Sequence, residues 1–273
     1  MVELTLMYDL NKDGFKIFKG VFEPNEIMQM RKKIQKLFQR LNNDDLVIAK
    51  KSKDFDFKST IPDVVQEELE AFNYVVFDER VLRCVRELIG SDIAYFQDST
   101  IQNGIGLAGY HKDNVSRDDS NHSDWKSNYD LIRMGIYFQN IKDYSGGINI
   151  KSGSHKHANL HSGKAINVPL ETGDIVFWKL TTTHSGNAKR LKMFPRISLP
   201  GRVQRILPEY FFLPEEMERM ALFACFGKPG IHLETYINYF KSRNDAHDKI
   251  KNSHYSNKAR SIAAAGSVRL IEI

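Results

Sequence analysis

The chain has 273 residues, 41% of them hydrophobic and 27% charged, with a formal net charge of +5, values that are ordinary for a folded globular protein. Its two cysteines, Cys84 and Cys225, exclude a disulfide framework or a cysteine-based zinc site and favour a cytoplasmic location. No basic segment leads into an apolar one at the N-terminus, and no apolar run approaches the roughly 20 residues of a membrane span, so neither a signal peptide nor a membrane partner is expected.

The first third of the chain predicts one strand and three helices. Polar and apolar residues alternate over residues 14–22, which is typical of a strand. A helix begins at Pro24, since apolar residues follow at helical spacing: Ile27, Met30, Ile34, Leu37 and Phe38. Residues 42–60 are polar and predict a loop. Two more helices are predicted at residues 64–71 and 79–88, the second ended by Gly90.

The middle of the chain predicts a β-barrel or sandwich. Short segments rich in Ile, Val, Phe and Tyr are separated by turn residues and predict strands at 94–100, 133–140, 148–151, 174–178, 195–199 and 204–212. Long helical patterns do not separate these segments, which argues against a Rossmann-type sheet. After Pro214 the spacing of Met217, Met220, Ala221 and Ala224 predicts a helix, and a second helix is predicted at 231–240. The polar stretch 242–259 has no assignment.

Three residues of the middle region form a candidate metal site. His111 and Asp113 are two residues apart, so on an extended segment their side chains point the same way and can reach one ion. His184 follows a predicted strand and a β-branched run. Two histidines and one carboxylate form the facial triad of non-haem iron(II) oxygenases, which leaves the other coordination positions open. Read singly, the His-x-Asp pair is explained by chance and His184 by a hydrogen bond at a strand end.

A candidate anion site follows the distal histidine. Arg196 and Ser198 share one face of a predicted strand, where a guanidinium can bind a carboxylate bidentately and a hydroxyl can add a hydrogen bond. A dicarboxylic cosubstrate needs such an anchor, although a surface ion pair would also explain Arg196. Tyr137 and Gln139 alternate with apolar residues, so they either contact the cosubstrate or lie on a polar strand face. Lys112 is a further candidate contact of the substrate.

In this order the motifs resemble the phytanoyl-CoA dioxygenase family of Fe(II)/2-oxoglutarate-dependent oxygenases, over about residues 13–212. Residues 109–113 are similar to the family's first metal motif, residues 146–156 to its glycine-rich strand and Gly-Ser-His turn, and residues 173–187 to its distal-histidine segment. The resemblance implies a mainly β fold with flanking helices, the double-stranded β-helix or cupin-like jelly roll. It implies iron on His111, Asp113 and His184, and 2-oxoglutarate and O2 as cosubstrates. It also implies that Arg196 and Ser198 hold the cosubstrate's far carboxylate.

The expected arrangement is a single oxygenase domain over residues 1–273. It consists of an N-terminal strand and helices (1–93), a β-helix core (94–213) and a helical, polar C-terminal extension (214–273). Many members of the family carry Gln or Ser at the position that corresponds to Lys112. The C-terminal extension is also longer than expected for the family. The oligomeric state is not predicted.

The expected reaction is hydroxylation of an unactivated C–H bond in a small molecule, with release of succinate and CO2. Asp113 favours hydroxylation over halogenation, because related halogenases carry a small residue in place of this carboxylate. Basic residues around the expected barrel mouth suit an anionic substrate, whereas no basic and aromatic stripe indicates nucleic acid as a partner. Two alternatives remain, a cupin-type metal-dependent isomerase and a non-catalytic cupin-fold binding module.

Overall fold

A computed structural model describes residues 8–40, 47–51, 56–60, 75–105, 109–199, 201–243 and 254–273. The N-terminal elements are α1 (Leu10–Asp13), β1 (Phe15–Phe18), α2 (Pro24–Arg40), β2 (Val47–Lys51), β3 (Asp56–Thr60) and α3 (Glu79–Ile89). The central strands are β4 (Ile93–Phe96), β5 (Thr100–Ile105), β6 (Ile132–Tyr137), β7 (Gly147–Ser152), β8 (Lys164–Asn167), β9 (Ile175–Lys179) and β10 (His184–Ala188). The remaining elements are α4 (Gly201–Ile206), β11 (Met220–Gly227), α5 (Ile231–Ser242), α6 (Asn257–Ala265) and β12 (Val268–Ile271).

Two sheets form the centre of the molecule. The larger has the order β1-β9-β6-β11-β5-β3-β2, with β4 beside β11 and β12, and the smaller has the order β10-β7-β8. A bridge between His111 and His184 adds the segment after β5 to the smaller sheet. From β5 to β11 the chain therefore passes repeatedly between the two sheets. This is the double-stranded β-helix, and the predicted fold class is confirmed.

Strand β11 lies in the middle of the large sheet, where the sequence predicts a helix. All of its residues are buried, because Leu222 and Phe226 pack on the helical side of the sheet while Ala221 and Phe223 pack on the inner side. A strand covered on both faces loses the alternation of polar and apolar residues that identifies a half-buried strand. The helix predicted after Pro214 is therefore wrong over β11.

Four other predictions differ from the structure. The predicted loop at 42–60 contains the hairpin of β2 and β3, and the single strand predicted at 94–100 is divided between β4 and β5. The strands predicted at 195–199 and 204–212 are wrong. Only an isolated bridge at Ile197 forms in the first, and the second contains the end of α4 and a 3-10 turn, Glu209–Phe211. The helix predicted at 64–71 lies outside the described residues.

Helices α2 and α3 cover the outer face of the large sheet, as their apolar spacing predicts. Ile27 and Ile34 of α2 and Val81 and Val85 of α3 are fully buried in the cluster that also contains Met134 of β6. The predicted helix at 231–240 is confirmed as α5. None of the helices in the described ranges combines the length and apolar character that crossing a membrane requires.

A second apolar cluster, called here the inner cluster, fills the space between the two sheets. Its buried members are Phe15, Tyr137, Ile141, Ile148, Ile150, Val168, Leu170, Val176, Trp178, Ala221 and Phe223. The strand that carries Trp178 is positioned by the turn at Gly173. There φ is +101° and an added Cβ would lie 2.1 Å from the carbonyl oxygen of Phe22, so only glycine fits.

Candidate active site

The structure brings His111, Asp113 and His184 together at one end of the barrel. The backbone N–H groups of His111 and His184 each donate to the other's carbonyl, both at 2.9 Å, which holds the two residues side by side. Asp113 Oδ1 lies 3.7 Å from His111 Nε2, and Asp113 Oδ2 lies 3.4 Å from His184 Nε2. The three ligand atoms all lie within 4.8 Å of one another, close enough to bind one metal ion.

Hydrogen bonds orient both imidazole rings for metal binding. His111 Nδ1 is 2.8 Å from the carbonyl oxygen of Gly109, and His184 Nδ1 is 3.0 Å from that of Thr182. A carbonyl only accepts, so each Nδ1 carries the proton and each Nε2 keeps its lone pair free. Metal-binding histidines in proteins are oriented in the same way.

Burial and nearby charge favour the metal-binding forms of two of the candidate ligands, His184 and Asp113. Burial lowers the pKa of His184 to about 4. Burial by itself would raise the pKa of Asp113, but the guanidinium of Arg133 outweighs this effect, with help from the two histidines, and holds that pKa below its usual range. Two imidazoles and one carboxylate on one side of an ion, with His111 about one-third exposed, fit an octahedral Fe(II) with open positions.

Arg133 on β6 joins the triad to a buried polar network. Its Nε lies 3.3 Å from Asp113 Oδ2, and its Nη2 lies 2.5 Å from Asp98 Oδ2. The hydroxyl of Tyr236 donates to the same Asp98 oxygen at 2.6 Å. The contact of Arg133 with Asp113 is an ion pair, and it favours the charged carboxylate that a metal ion needs.

Two buried arginines lie next to the inner cluster, Arg190, which donates to the carbonyl of Ile141, and Arg219, immediately before β11. Arg219 lies beside the aromatic members of the cluster. Its side chain donates to the carbonyl oxygens of Gly146 at 3.0 Å and Gly104 at 3.4 Å, and to Gln102 Oε1 at 3.2 Å. Within the described ranges no carboxylate forms an ion pair with it. Arg219 is 2% exposed, and its charge is held inside the protein by these neutral oxygens and by electrostatic attraction to nearby Glu215. Such a site favours an anionic ligand.

Two unpaired donors lie in the same inner cluster. The hydroxyl of Tyr137 and Nε1 of Trp178 are buried, and neither donates to a described residue, although the guanidinium of Arg219 is close enough to act as a donor to the Tyr137 oxygen. The guanidinium carbon of Arg219 lies 5.6 Å from the centroid of the Tyr137 ring. Burial raises the pKa of Tyr137, so its phenol keeps its proton and can donate to an anion.

The structure does not place Arg196 and Ser198 on one strand face. Arg196 is exposed and lies in a turn, where its carbonyl accepts from the N–H of Asn167. The hydroxyl of Ser198 is 2.7 Å from that of Tyr110, beside the metal-binding segment. The predicted shared face of this pair is therefore wrong.

Lys112 and Gln139 point away from the triad. Lys112 is fully buried, and its ammonium donates to the carbonyl oxygens of Ser154 at 2.8 Å and Thr181 at 2.5 Å. Gln139 Oε1 accepts from Arg31 of α2 at 3.3 Å and from the N–H of Met220, on the helical side of the sheet. Both contacts are structural, which corrects the prediction that these side chains face a ligand.

A family model described as phytanoyl-CoA dioxygenase matches residues 10–192, well over half of the chain. The chain belongs to this family. Members of the phytanoyl-CoA dioxygenase family use Fe(II), 2-oxoglutarate and O2, and the predicted cofactor class is confirmed. A curated relative, the ectoine dioxygenase of Streptomyces coelicolor, is 28% identical over 159 residues, which cover 54% of this chain and 49% of the relative. The match thus spans about half the length of that relative.

Proteins whose solved structures have a similar fold include enzymes with different activities. HygX from Streptomyces hygroscopicus, with nickel and 2-oxoglutarate bound, has a TM-score of 0.54 at 14% identity and covers 81% of this chain and 85% of its own. The α-ketoglutarate-dependent epimerase SnoN has a TM-score of 0.53 at 14% identity, covering 80% and 79%. The carbocyclase SnoK has a TM-score of 0.53 at 12% identity, covering 82% and 87%. At these identities the likeness shows the fold.

The Gly-Ser-His turn that resembles the phytanoyl-CoA dioxygenase pattern buries a neutral histidine. His155 Nε2–H donates to the carbonyl of Asn11 at 3.0 Å, and burial lowers the pKa of His155 to about 4. Between that pH and about 6.5 the unfolded chain binds this proton and the native protein does not. Stability should therefore fall on acidification through this window, by at most about 1.4 kcal/mol per pH unit from this residue.

We expect the His155→Gln variant to lose less stability than the wild type between pH 7 and pH 5. Urea unfolding of the metal-free proteins at several pH values measures the difference. A residual slope should remain, because His184 has a pKa shifted in the same direction. Equal slopes in the two proteins would show that His155 is not the neutral buried group described here.

Two buried arginines of the candidate site, Arg133 and Arg219, were not predicted from the sequence. Arg133 begins a predicted strand and lies four residues before Tyr137, so the alternation of a strand places both side chains on the same face. This alternation alone could have predicted an inward-facing arginine. Arg219 precedes an apolar run whose period resembles a helix, and no local signal placed it near the inner cluster.

Proposed function

We propose that this chain is an Fe(II)- and 2-oxoglutarate-dependent dioxygenase that hydroxylates a C–H bond of a small molecule and releases succinate and CO2. The observation that carries the proposal is the triad itself, three buried or half-buried ligand atoms within 4.8 Å of one another. Bound Fe(II) would supply the activation of O2 that amino-acid side chains cannot provide.

The chain's own residues hold and orient this centre. Nε2 of His111 and of His184 and the carboxylate of Asp113 are the proposed ligands. Arg133 forms an ion pair with Asp113 Oδ2 and keeps Asp113 ionised, so that this carboxylate is ready to bind a cation. The hydrogen bonds to the carbonyls of Gly109 and Thr182 do the same for the two rings.

Arg219 and Tyr137 are the proposed anchor for the far carboxylate of 2-oxoglutarate. From the metal ligand inward, the ring of His184 lies 5.1 Å from that of Trp178, and Trp178 lies 6.0 Å from Phe223. The guanidinium carbon of Arg219 lies 6.0 Å from the centroid of Phe223. The aromatic rings thus lead from the triad to a buried cation, which suits an elongated dianion better than a surface arginine does.

The inner cluster also argues against the two alternatives. An isomerase without a dicarboxylic cosubstrate, or a binding module without a ligand there, would leave Arg219 and the Tyr137 hydroxyl buried with no function. A buried donor without an acceptor is costly, so the Tyr137 hydroxyl and the Trp178 Nε1–H, which donate to no described residue, favour a polar ligand at this place. Hydroxylation is proposed over halogenation because Asp113 supplies a carboxylate ligand.

The substrate is proposed to be a small molecule with an anionic group. Basic side chains lie beside the metal-binding segment: Lys151 Nζ is 4.8 Å from the centroid of Tyr110, the residue before His111. Positive charge near the opening of an active site attracts anions over a distance of about 10 Å at moderate salt. Cys84 and Cys225 are free thiols, in keeping with the proposed cytoplasmic location.

The test is anaerobic addition of Fe(II) and then 2-oxoglutarate to the metal-free protein. We expect a weak visible charge-transfer band that appears only when both are present, because the cosubstrate must chelate the bound iron. Iron binding without such a band in folded protein would contradict the 2-oxoglutarate assignment and favour the isomerase alternative. Succinate formation with candidate anions would then identify the substrate.

A further inference from the structure

The segment between β10 and β11 exposes a concentrated apolar surface. Of the described residues, the large hydrophobic side chains that are exposed are Met193, Phe194, Ile197, Val203, Ile206, Tyr210, Phe211 and Ile231. All but Ile231 lie between residues 193 and 211, a stretch called here the apolar segment. Met193 and Ile206 are the most exposed, at 82% and 81%. Single exposed hydrophobics need no explanation, but such a cluster marks a contact surface.

Positive charge accompanies this surface. From Ile175 to Pro208 the sequence contains no Asp or Glu. The basic residues of that stretch from residue 189 onward are Lys189, Arg190, Lys192, Arg196, Arg202 and Arg205, of which Arg190 is buried. Lys192 and Arg196 are exposed, whereas Lys189 forms an ion pair with Glu209. Apolar side chains are therefore presented together with two exposed cations, Lys192 and Arg196, which form no ion pair with the residues that the structure describes.

The apolar segment contacts the chain directly before the proposed metal ligand His111. The hydroxyl of Ser198 is 2.7 Å from that of Tyr110, and Tyr110 directly precedes the proposed ligand His111. The carbonyl of Phe194 accepts from the N–H of Ile197 within a tight turn, which helps to present Met193 and Phe194 outward. Whatever contacts this surface is therefore close to the candidate active site.

We propose that the apolar segment docks on an anionic lipid surface. Stable attachment to a bilayer surface generally combines inserted apolar side chains with cations that meet acidic headgroups, and this segment carries both. A symmetric contact with a second copy would bring the two basic segments together, which like-charge repulsion disfavours, and the whole chain has a net charge of +5. The docking is peripheral and needs no membrane-spanning helix.

The test is co-sedimentation of the full-length protein with vesicles of phosphatidylcholine alone or with about 30% phosphatidylglycerol. We expect binding to the anionic vesicles that weakens steeply as salt rises, since headgroup attraction is screened within about 10 Å at 0.1 M salt. A triple variant, Met193→Ser, Phe194→Ser and Ile206→Ser, should bind at least about tenfold more weakly because it loses the inserted side chains. The matched control is Ile231→Ser, an exposed isoleucine outside the segment, which should bind like the wild type.

The result that overturns the proposal is equal sedimentation with neutral and anionic vesicles, or no sedimentation with either. Light scattering after size exclusion separates the main rival: a wild-type dimer that the triple variant converts to a monomer would assign the surface to a second copy. The substituted side chains are solvent-exposed, so circular dichroism should show all variants folded. Vesicle binding does not depend on bound iron, so its failure would leave the proposed reaction untouched.

Discussion

The His184→Ala variant is expected to lose Fe(II) binding by at least about 100-fold, and with it nearly all 2-oxoglutarate turnover, because the facial set would keep only two ligands. His184 is the most buried of the three proposed ligands, and its free Nε2 faces Asp113 at 3.4 Å. Anaerobic titration with Fe(II), followed by the visible band of the 2-oxoglutarate complex, measures both effects. His157→Ala is the matched control, since His157 is exposed and lies outside the triad.

Retention of iron affinity and of the band in a folded His184→Ala protein would remove His184 from the ligand set. Circular dichroism must accompany the titration, because the ring of His184 packs 4.4 Å from that of His111 and 5.1 Å from that of Trp178. The His184→Gln variant keeps more of this volume. It should remain folded and still bind iron weakly.

The Arg219→Leu variant is expected to raise the KM and Kd for 2-oxoglutarate by about 10- to 100-fold while iron alone still binds. A charge-assisted pair to a carboxylate contributes about 1.5–3 kcal/mol, and that loss converts to this range. Arg219→Lys should fall between the two proteins, since an ammonium keeps the charge but cannot form the guanidinium fork. Titration of the visible band with 2-oxoglutarate gives the Kd, and succinate formation gives the KM.

Arg196→Ala is the matched control for Arg219→Leu, because it removes an exposed arginine from a turn. It should leave the affinity for 2-oxoglutarate within about twofold of the wild type, as expected for a solvated group. A large effect of Arg196→Ala and a small effect of Arg219→Leu would restore the anchor predicted from the sequence. Unfolding of Arg219→Leu is checked separately, since three oxygen acceptors would lose their donor.

Proteins of this fold do not all catalyse the same reaction. HygX, SnoN and SnoK share the fold, yet SnoN is an epimerase and SnoK a carbocyclase. Loss of iron or 2-oxoglutarate binding would therefore confirm the cofactor site without identifying the oxidation. Product analysis by mass distinguishes hydroxylation, which adds one oxygen atom, from epimerisation, which leaves the mass unchanged.

Sequence alone determined the parts of this protein that depend on local spacing. Helices α2, α3 and α5 follow from apolar residues that recur on one helical face, and each buries that face. His111 and Asp113 share a side because an extended chain turns every second side chain the same way. The same alternation turns Lys112 to the opposite side, where it binds backbone carbonyls.

Only the tertiary structure decided which distant groups meet. Strand β11 is buried on both faces, so its sequence has no alternation to identify it, and its place between β5 and β6 depends on pairing across more than eighty residues. That pairing brings Arg219 to the inner cluster. Arg196 resembles a strand residue in sequence but lies in an exposed turn. The position of Arg219 in the candidate site therefore depends on long-range sheet pairing, which local periodicity does not encode.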